Sequence, residues 1–227
     1  ESGVDHVAFS LAGVGGQNDE ARRGTRFSAV LEAIAGLAAE KKIRRQSTPV
    51  IGVAYLLLGS HLPDIGRLIP ALAGTGVEQI VLSTLDFAVS ENLQKEGLTP
   101  EDKGQHRELQ ALFDSLAREA QNEGISLYYN LVDPEAHGED CAENPRRALF
   151  VSADGSISPC VFAGLPVQET SCASGGEGSG YQKLTFGSLA GKTLPAVWKS
   201  SAYREFRESF GREPHPLCQN CPKRPKR

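Results

Sequence analysis

The sequence lacks the features that would place a protein in a membrane or on a nucleic acid. None of its apolar runs approaches the length of about 20 residues that a membrane-spanning helix needs. The first residues also lack the basic and apolar segments of a signal peptide. The formal net charge is only -4, so no excess of basic residues favours nucleic-acid binding. We therefore expect a cytoplasmic protein with no nucleic-acid or membrane partner.

Methionine is absent from all 227 residues, and tryptophan occurs once. A chain of this length normally contains several methionines, so we expect the sequence to be part of a longer protein. The length allows a larger and a smaller unit.

The five cysteines are an odd number, and most lie towards the C-terminus. In a reducing compartment such a group is more typical of metal ligands than of disulfides.

The first part of the sequence alternates apolar segments with amphipathic ones. Segments 4–11, 50–58, 79–84 and 125–131 predict strands, and the segments between them predict helices, with Thr25 as the N-cap of the first. Strands alternating with helices in this way predict a parallel sheet covered by helices, because each crossover packs its apolar stripe on the sheet. We therefore expect an α/β fold with a partial (β/α) barrel in residues 1–133, and a small doubly wound sheet is the alternative.

After Asp133 the composition shifts towards proline, glycine, aspartate and cysteine, which predicts a second domain over residues 134–227. Asp154-Gly155 between two short apolar runs predicts a β-hairpin. Apolar residues from Leu194 to Phe210 predict one amphipathic helix, and the prolines after Pro214 predict a non-helical tail. The second domain is thus expected to be a small cysteine-rich α+β cap with a β-hairpin and a helix.

Four cysteines are candidate metal ligands: Cys141, Cys160, Cys218 and Cys221. They follow the pattern C-x13-G-x4-C and then C-x2-C, in which the turn at Gly155 returns the second cysteine towards the first. Four thiolates bind either a [4Fe-4S] cluster or zinc. Zinc ribbons usually supply two C-x2-C pairs, whereas this chain has one, so the spacing favours iron-sulfur and leaves zinc as the alternative. The fifth cysteine, Cys172, is not expected to bind metal.

The same region resembles a known family. The segments FVSADGSISPC, FGSL, LPAVWKSSAYREFR and PLCQNCP, spread over about eighty residues, resemble the SPASM domain of radical S-adenosylmethionine (AdoMet) enzymes that modify peptides or mature cofactors. The resemblance implies an auxiliary [4Fe-4S] cluster. In that family the first two cysteines and the C-x2-C pair need not bind the same cluster, and further cysteines hold a second one. No cysteine follows Cys221 here, which implies one cluster or a truncated tail.

The N-terminal segments DHVAFSLAG and RRGTRFSAVLEAIAGL resemble the fourth strand of the radical AdoMet barrel and the helix after it. This resemblance implies that Ser10 faces AdoMet and that Arg22 or Arg23 contacts its carboxylate. Ala12 stands where relatives usually have aspartate. The C-x3-C-x2-C motif that holds the AdoMet-cleaving cluster is absent from the sequence, so we expect no activity from this chain alone.

The function that the resemblance implies is that of the C-terminal portion of a radical AdoMet oxidoreductase or maturase acting on a peptide or protein. Catalytic residues are not identified. The implied partners are the substrate and an electron donor such as a flavodoxin or ferredoxin, and the exposed edges of an unclosed barrel predict a homodimer. Two alternatives stay open: a non-catalytic zinc or iron-sulfur module that binds peptides, and a haem-biosynthesis relative of the same superfamily.

Overall fold

The computed structural model describes residues 3–85, 88, 91–135, 141–166, 183–210, 212–219 and 221. The chain folds into two compact units. The first comprises Glu1–Leu85 and Glu96–Leu131, and the second comprises Asp86–Lys95 and Val132–Arg227. The chain leaves the first unit for the last time after Leu131, and the boundary predicted from composition was after residue 133.

A four-stranded parallel sheet forms the centre of the first unit. Its strands are β1 (His6–Leu11), β2 (Val50–Leu57), β3 (Gln79–Thr84) and β4 (Ser126–Tyr129), in the order β1-β2-β3-β4. All neighbouring pairs are parallel, as the alternation of strands and helices predicted. The register aligns one residue from each strand in a single row: Ser10, Ala54, Val81 and Tyr128.

Helices cover one face of this sheet. They are α1 (Gly16–Ala21), α2 (Phe27–Arg44), a 3₁₀ helix (Gly59–Arg67), α3 (Leu68–Leu72) and α5 (Lys103–Asn122); the short α4 (Glu91–Gln94) belongs to the second unit. The core between helices and sheet contains fully buried aliphatic side chains from both layers, among them Ile34, Ile51, Leu57, Leu68, Leu72 and Ile80. Burial of these side chains stabilises the unit.

The start of α2 differs from the prediction that Thr25 caps it. The Thr25 hydroxyl donates to the Arg22 carbonyl at 2.8 Å, and the first helical N–H, that of Phe27, donates to Asp19 Oδ1 at 2.6 Å. A carboxylate from the preceding helix α1 therefore caps α2. The acidic cap also suits the positive end of the helix dipole.

The other face of the sheet is open to solvent. Val81 is 50% exposed and Tyr128 is 55% exposed, and Ser10 and Ala54 in the same row are exposed too. Within the described residues the strands form an open sheet and do not close into a barrel. The α/β class with a partial barrel is thus confirmed. No helix in the described ranges is long and apolar enough to cross a membrane.

The second unit is built around a small antiparallel sheet. Its elements are β5 (Phe150–Val151), β6 (Ser156–Ser158), a 3₁₀ turn (Phe162–Gly164), β7 (Gly187–Ser188), α6 (Leu194–Trp198), α7 (Ser201–Ser209) and α8 (Pro216–Gln219). The sheet order is β5-β6-β7. Its core holds buried side chains from β6, α6, α7 and the residue after α7: Ile157, Val197, Tyr203, Phe206 and Phe210.

Two details of the second unit correct the sequence analysis. The single helix predicted from Leu194 to Phe210 is two helices, because the Ser200 side chain accepts a hydrogen bond from Tyr203 N and starts α7. The tail is not wholly non-helical, since α8 begins at Pro216. Proline is favoured at the first helical position, where its missing N–H needs no partner.

Candidate functional site

The hairpin of the second unit places Cys160. Gly155 adopts φ +77°, its N–H donates to the Ser152 carbonyl at 2.8 Å, and Ser156 N donates to Asp154 Oδ1 at 2.9 Å. The positive φ favours glycine at this position. The predicted hairpin is thus present, and β6 leads from it directly through Pro159 into Cys160.

A tight 3₁₀ turn follows Cys160, and the backbone of this turn hydrogen-bonds to the Cys160 sulfur. Burial raises the pKa of the Cys160 thiol, whereas hydrogen bonds from the backbone of Ala163 and Phe162 lower it. The nearby Cys141 and Glu143 raise it further, and the net pKa lies above its ordinary value. A bound metal would instead favour the thiolate form of Cys160, because a thiol that coordinates a metal is deprotonated.

The C-terminal pair of cysteines is placed by α8. Cys218 lies in this helix, and its N–H donates to the His215 carbonyl at 2.7 Å. His215 Nδ1 also accepts a hydrogen bond from Leu217 N at 3.3 Å, so this ring nitrogen takes part in the turn. Cys221 follows α8 by two residues.

All four predicted cysteines line one pocket. Most of the remaining wall is apolar, and it consists of Glu143, Pro145, Pro159, Phe162, Ala163, Phe210 and Leu217. None of the four cysteines forms a disulfide. No three described His, Cys, Asp or Glu side chains are grouped closely enough to hold a single metal ion. The fifth cysteine, Cys172, lies outside the described residues.

An aromatic cluster packs beside the pocket, and its charged member, Arg207, was not predicted from the sequence. The rings of Phe186 and Tyr203 stack with centroids 4.3 Å apart, and Trp198 meets Tyr203 edge-on at 5.2 Å. The Arg207 guanidinium lies 4.0 Å from the Trp198 ring centroid and 4.8 Å from that of Tyr203. The signal available in sequence was the spacing of Tyr203 and Arg207, which are four residues apart on one helical face.

The residues that the resemblance linked to AdoMet lie around the loop after β1. Ser10 is exposed near the C-terminal end of β1 and Arg23 is exposed after α1. Arg22 is half-buried, and its Nε is buried with no hydrogen-bond partner in the described part of the chain. The structure adds Asn18, which is fully buried and whose Oδ1 accepts a hydrogen bond from Ala12 N at 3.0 Å. This side chain fixes the loop between Ser10 and Arg22.

Comparison with known proteins bears on both units. Residues 141–222 match the family model of SPASM, an iron-sulfur cluster-binding domain. The fold resembles the crystal structure of Streptococcus suis SuiB with a TM-score of 0.58 and 13% identity, over 96% of this chain and 48% of that one. The chain therefore spans about half the length of that protein. No curated protein matches the sequence significantly. Residues 141–222 thus match a family of iron-sulfur cluster-binding domains, in agreement with the resemblance that the cysteine motifs gave, and the likeness to SuiB shows a shared fold.

Proposed function

We propose that this chain is the C-terminal portion of a radical AdoMet enzyme that modifies a peptide or protein, and that it holds an auxiliary [4Fe-4S] cluster. One observation carries the proposal. Cysteines from three separate segments of the chain line one pocket, and all four lie inside the residues that match the SPASM domain. The proposed ligands are Cys141, Cys160, Cys218 and Cys221.

The pocket suits such a cluster chemically. Thiolates are the usual ligands of iron-sulfur clusters, and in a cubane cluster each thiolate binds a different iron. The apolar wall, including Phe162 and Phe210, limits the access of water. The backbone hydrogen bonds to the Cys160 sulfur are of the kind that tunes a cluster's reduction potential. A bound cluster would supply one-electron chemistry, while the protein residues hold it, shield it and bond to its ligands.

The proposed role of the parallel sheet is to bind AdoMet and substrate beside the C-terminal ends of its strands. Ligands of parallel α/β sheets commonly bind at that end. Ser10 is exposed there, and Arg22 is half-buried with an Nε that has no hydrogen-bond partner among the described residues, so a small movement of its side chain would let the guanidinium bind a carboxylate. Arg23 is the exposed alternative. Equilibrium dialysis with labelled AdoMet tests these roles in the chain and in its S10A and R22Q variants. AdoMet uptake by the wild-type chain that is unchanged in both variants would exclude Ser10 and Arg22 as ligands.

The remaining parts of the proposal follow from the same assignment. The reaction class is reductive cleavage of AdoMet followed by hydrogen abstraction from a peptide or protein substrate. A flavodoxin or ferredoxin would supply the electrons in the cytoplasm. Because the sequence has no C-x3-C-x2-C motif, we propose that this chain does not cleave AdoMet on its own.

Serine variants of the cysteines test the cluster assignment. Each protein is purified anaerobically, and its iron and sulfide are measured per chain. Cys160→Ser should abolish or destabilise the cluster, because it removes a thiolate ligand from the pocket. C172S is the matched control, since it changes a cysteine that we do not assign to the cluster. Equal metal retention in the two variants would overturn the ligand assignment.

A further inference from the structure

Arg207 carries a partly buried positive charge that no acidic side chain of the described residues neutralises. In the described residues no carboxylate lies within ion-pairing distance of it, and its Nη1 is buried without a hydrogen-bond partner. Contacts with the faces of Trp198 and Tyr203 offset part of the desolvation cost. Removing a charge from water is costly when nothing of opposite sign compensates it. The arrangement is therefore better suited to a state in which a negative group lies nearby.

The aromatic cluster connects Arg207 to the cysteine pocket. Tyr203 is fully buried, and the pKa of its hydroxyl is affected by both Arg207 and Cys160. This pKa is raised to about 12, chiefly by burial, while the Arg207 charge lowers it and Cys160 raises it. Phe210, three residues after Arg207, forms part of the pocket wall. Cys141 and Cys218 pack against the core of the second unit, which contains Tyr203, Phe206 and Phe210, and Arg207 lies on the rings of Trp198 and Tyr203 at the same core.

We propose that the charge of Arg207 raises the reduction potential of the auxiliary cluster. This inference rests on the function proposed above. A [4Fe-4S] cluster with four thiolate ligands is an anion, and it gains one further negative charge when an external donor supplies one electron. A nearby cation stabilises the reduced form more than the oxidised form, and net charge is one of the factors that set cluster potentials.

The position of Arg207 makes this effect larger than that of Arg204, the other cation on the same helix. Apolar aromatic surroundings screen its charge weakly, because the effective dielectric constant there is well below that of water. Arg204 is also on α7, but it is exposed and donates to the Lys199 carbonyl at 3.2 Å. Solvent and salt screen such an exposed charge. Arg204 is therefore the matched control for the loss of one positive charge.

The test is a redox titration of the cluster in the purified chain, followed by electron paramagnetic resonance of the reduced form. Arg207→Gln should lower the midpoint potential, R204Q should leave it unchanged, and R207K should stay closer to wild type because it keeps the charge. Equal potentials in R207Q and R204Q would overturn the role of Arg207. Absence of a cluster from the wild-type chain would instead refute the proposed function on which this role rests.

Loss of the cluster from R207Q also gives a decisive result. In that case R207M is measured instead of R207Q, because an unbranched apolar side chain can lie against the rings of Trp198 and Tyr203. If neither neutral variant retains iron, the R207K cluster is titrated alone, and a midpoint potential close to wild type supports the role of the positive charge. Loss of iron from R207K as well would assign Arg207 to packing alone and would overturn the proposal.

Discussion

Gly164 lies where the turn after Cys160 packs against the hairpin, and its position leaves no room for a side chain. A Cβ atom there would lie 2.8 Å from Ser158 Oγ, 3.0 Å from Ser158 Cβ and 3.0 Å from Phe150 Cδ1. Ser158 is fully buried, so it cannot turn into solvent to make space. Overpacking of this kind costs roughly 1–3 kcal/mol. We predict that Gly164→Ala lowers the free energy of unfolding of the second unit by that amount.

The same substitution should also weaken metal binding, because the turn supplies the backbone hydrogen bonds to Cys160. Urea denaturation of the metal-free chain is followed by the fluorescence of Trp198, the single tryptophan, which lies in the second unit. Iron content is measured in parallel. Gly191→Ala is the control, since a Cβ there meets nothing within 4 Å. Equal urea midpoints for G164A and G191A would refute this account of the turn.

Three further predictions concern the first unit. Asn18→Ala removes the buried acceptor of the Ala12 N–H, so the free energy of unfolding should fall by about 1–3 kcal/mol, and an unchanged urea midpoint would count against this. Hydrogen bonds from the backbone N–H and the hydroxyl of Ser60 hold the pKa of Glu96 below its ordinary value of 4.5. The carboxylate therefore contributes stability above pH 4.5 that is lost as the pH falls through the lower native pKa. E96Q should flatten the pH dependence of the urea midpoint in that acid range, and parallel curves for the two proteins would exclude this role. Tyr128→Glu places a charge on the open sheet face and should shift the homodimer predicted from the sequence towards monomer in light scattering, whereas a monomeric wild-type chain would contradict self-association.

The parts of the fold that were predicted depend on local sequence signals. Apolar segments of four to eight residues between helical patterns predict buried parallel strands, and β3 has the predicted bounds. Asp154-Gly155 predicts a hairpin because the turn needs a positive φ, which Gly155 adopts. The pairing of Cys218 with Cys221 was also predicted from local sequence, because C-x2-C brings two thiols onto one turn. These signals act between residues that are close in sequence.

The parts that were missed depend on contacts that spacing alone does not reveal. Asp19 caps α2 from eight residues upstream, so a search for a cap directly before the helix selected Thr25. Ser200 interrupts an apolar pattern that otherwise continues, and the pattern alone predicted one helix. The place of Arg207 beside the cysteine pocket depends on how α7 packs against the hairpin. Neither the apolar periodicity nor the short motifs of the sequence contain information about that packing.

The most direct test of the account is metal analysis of the chain after anaerobic purification, with iron, sulfide and zinc measured beside the visible absorption spectrum. We predict about four irons and four sulfides per chain and the broad visible absorbance of an iron-sulfur cluster. A colourless protein with stoichiometric zinc would contradict the redox role and would favour a zinc-containing peptide-binding module.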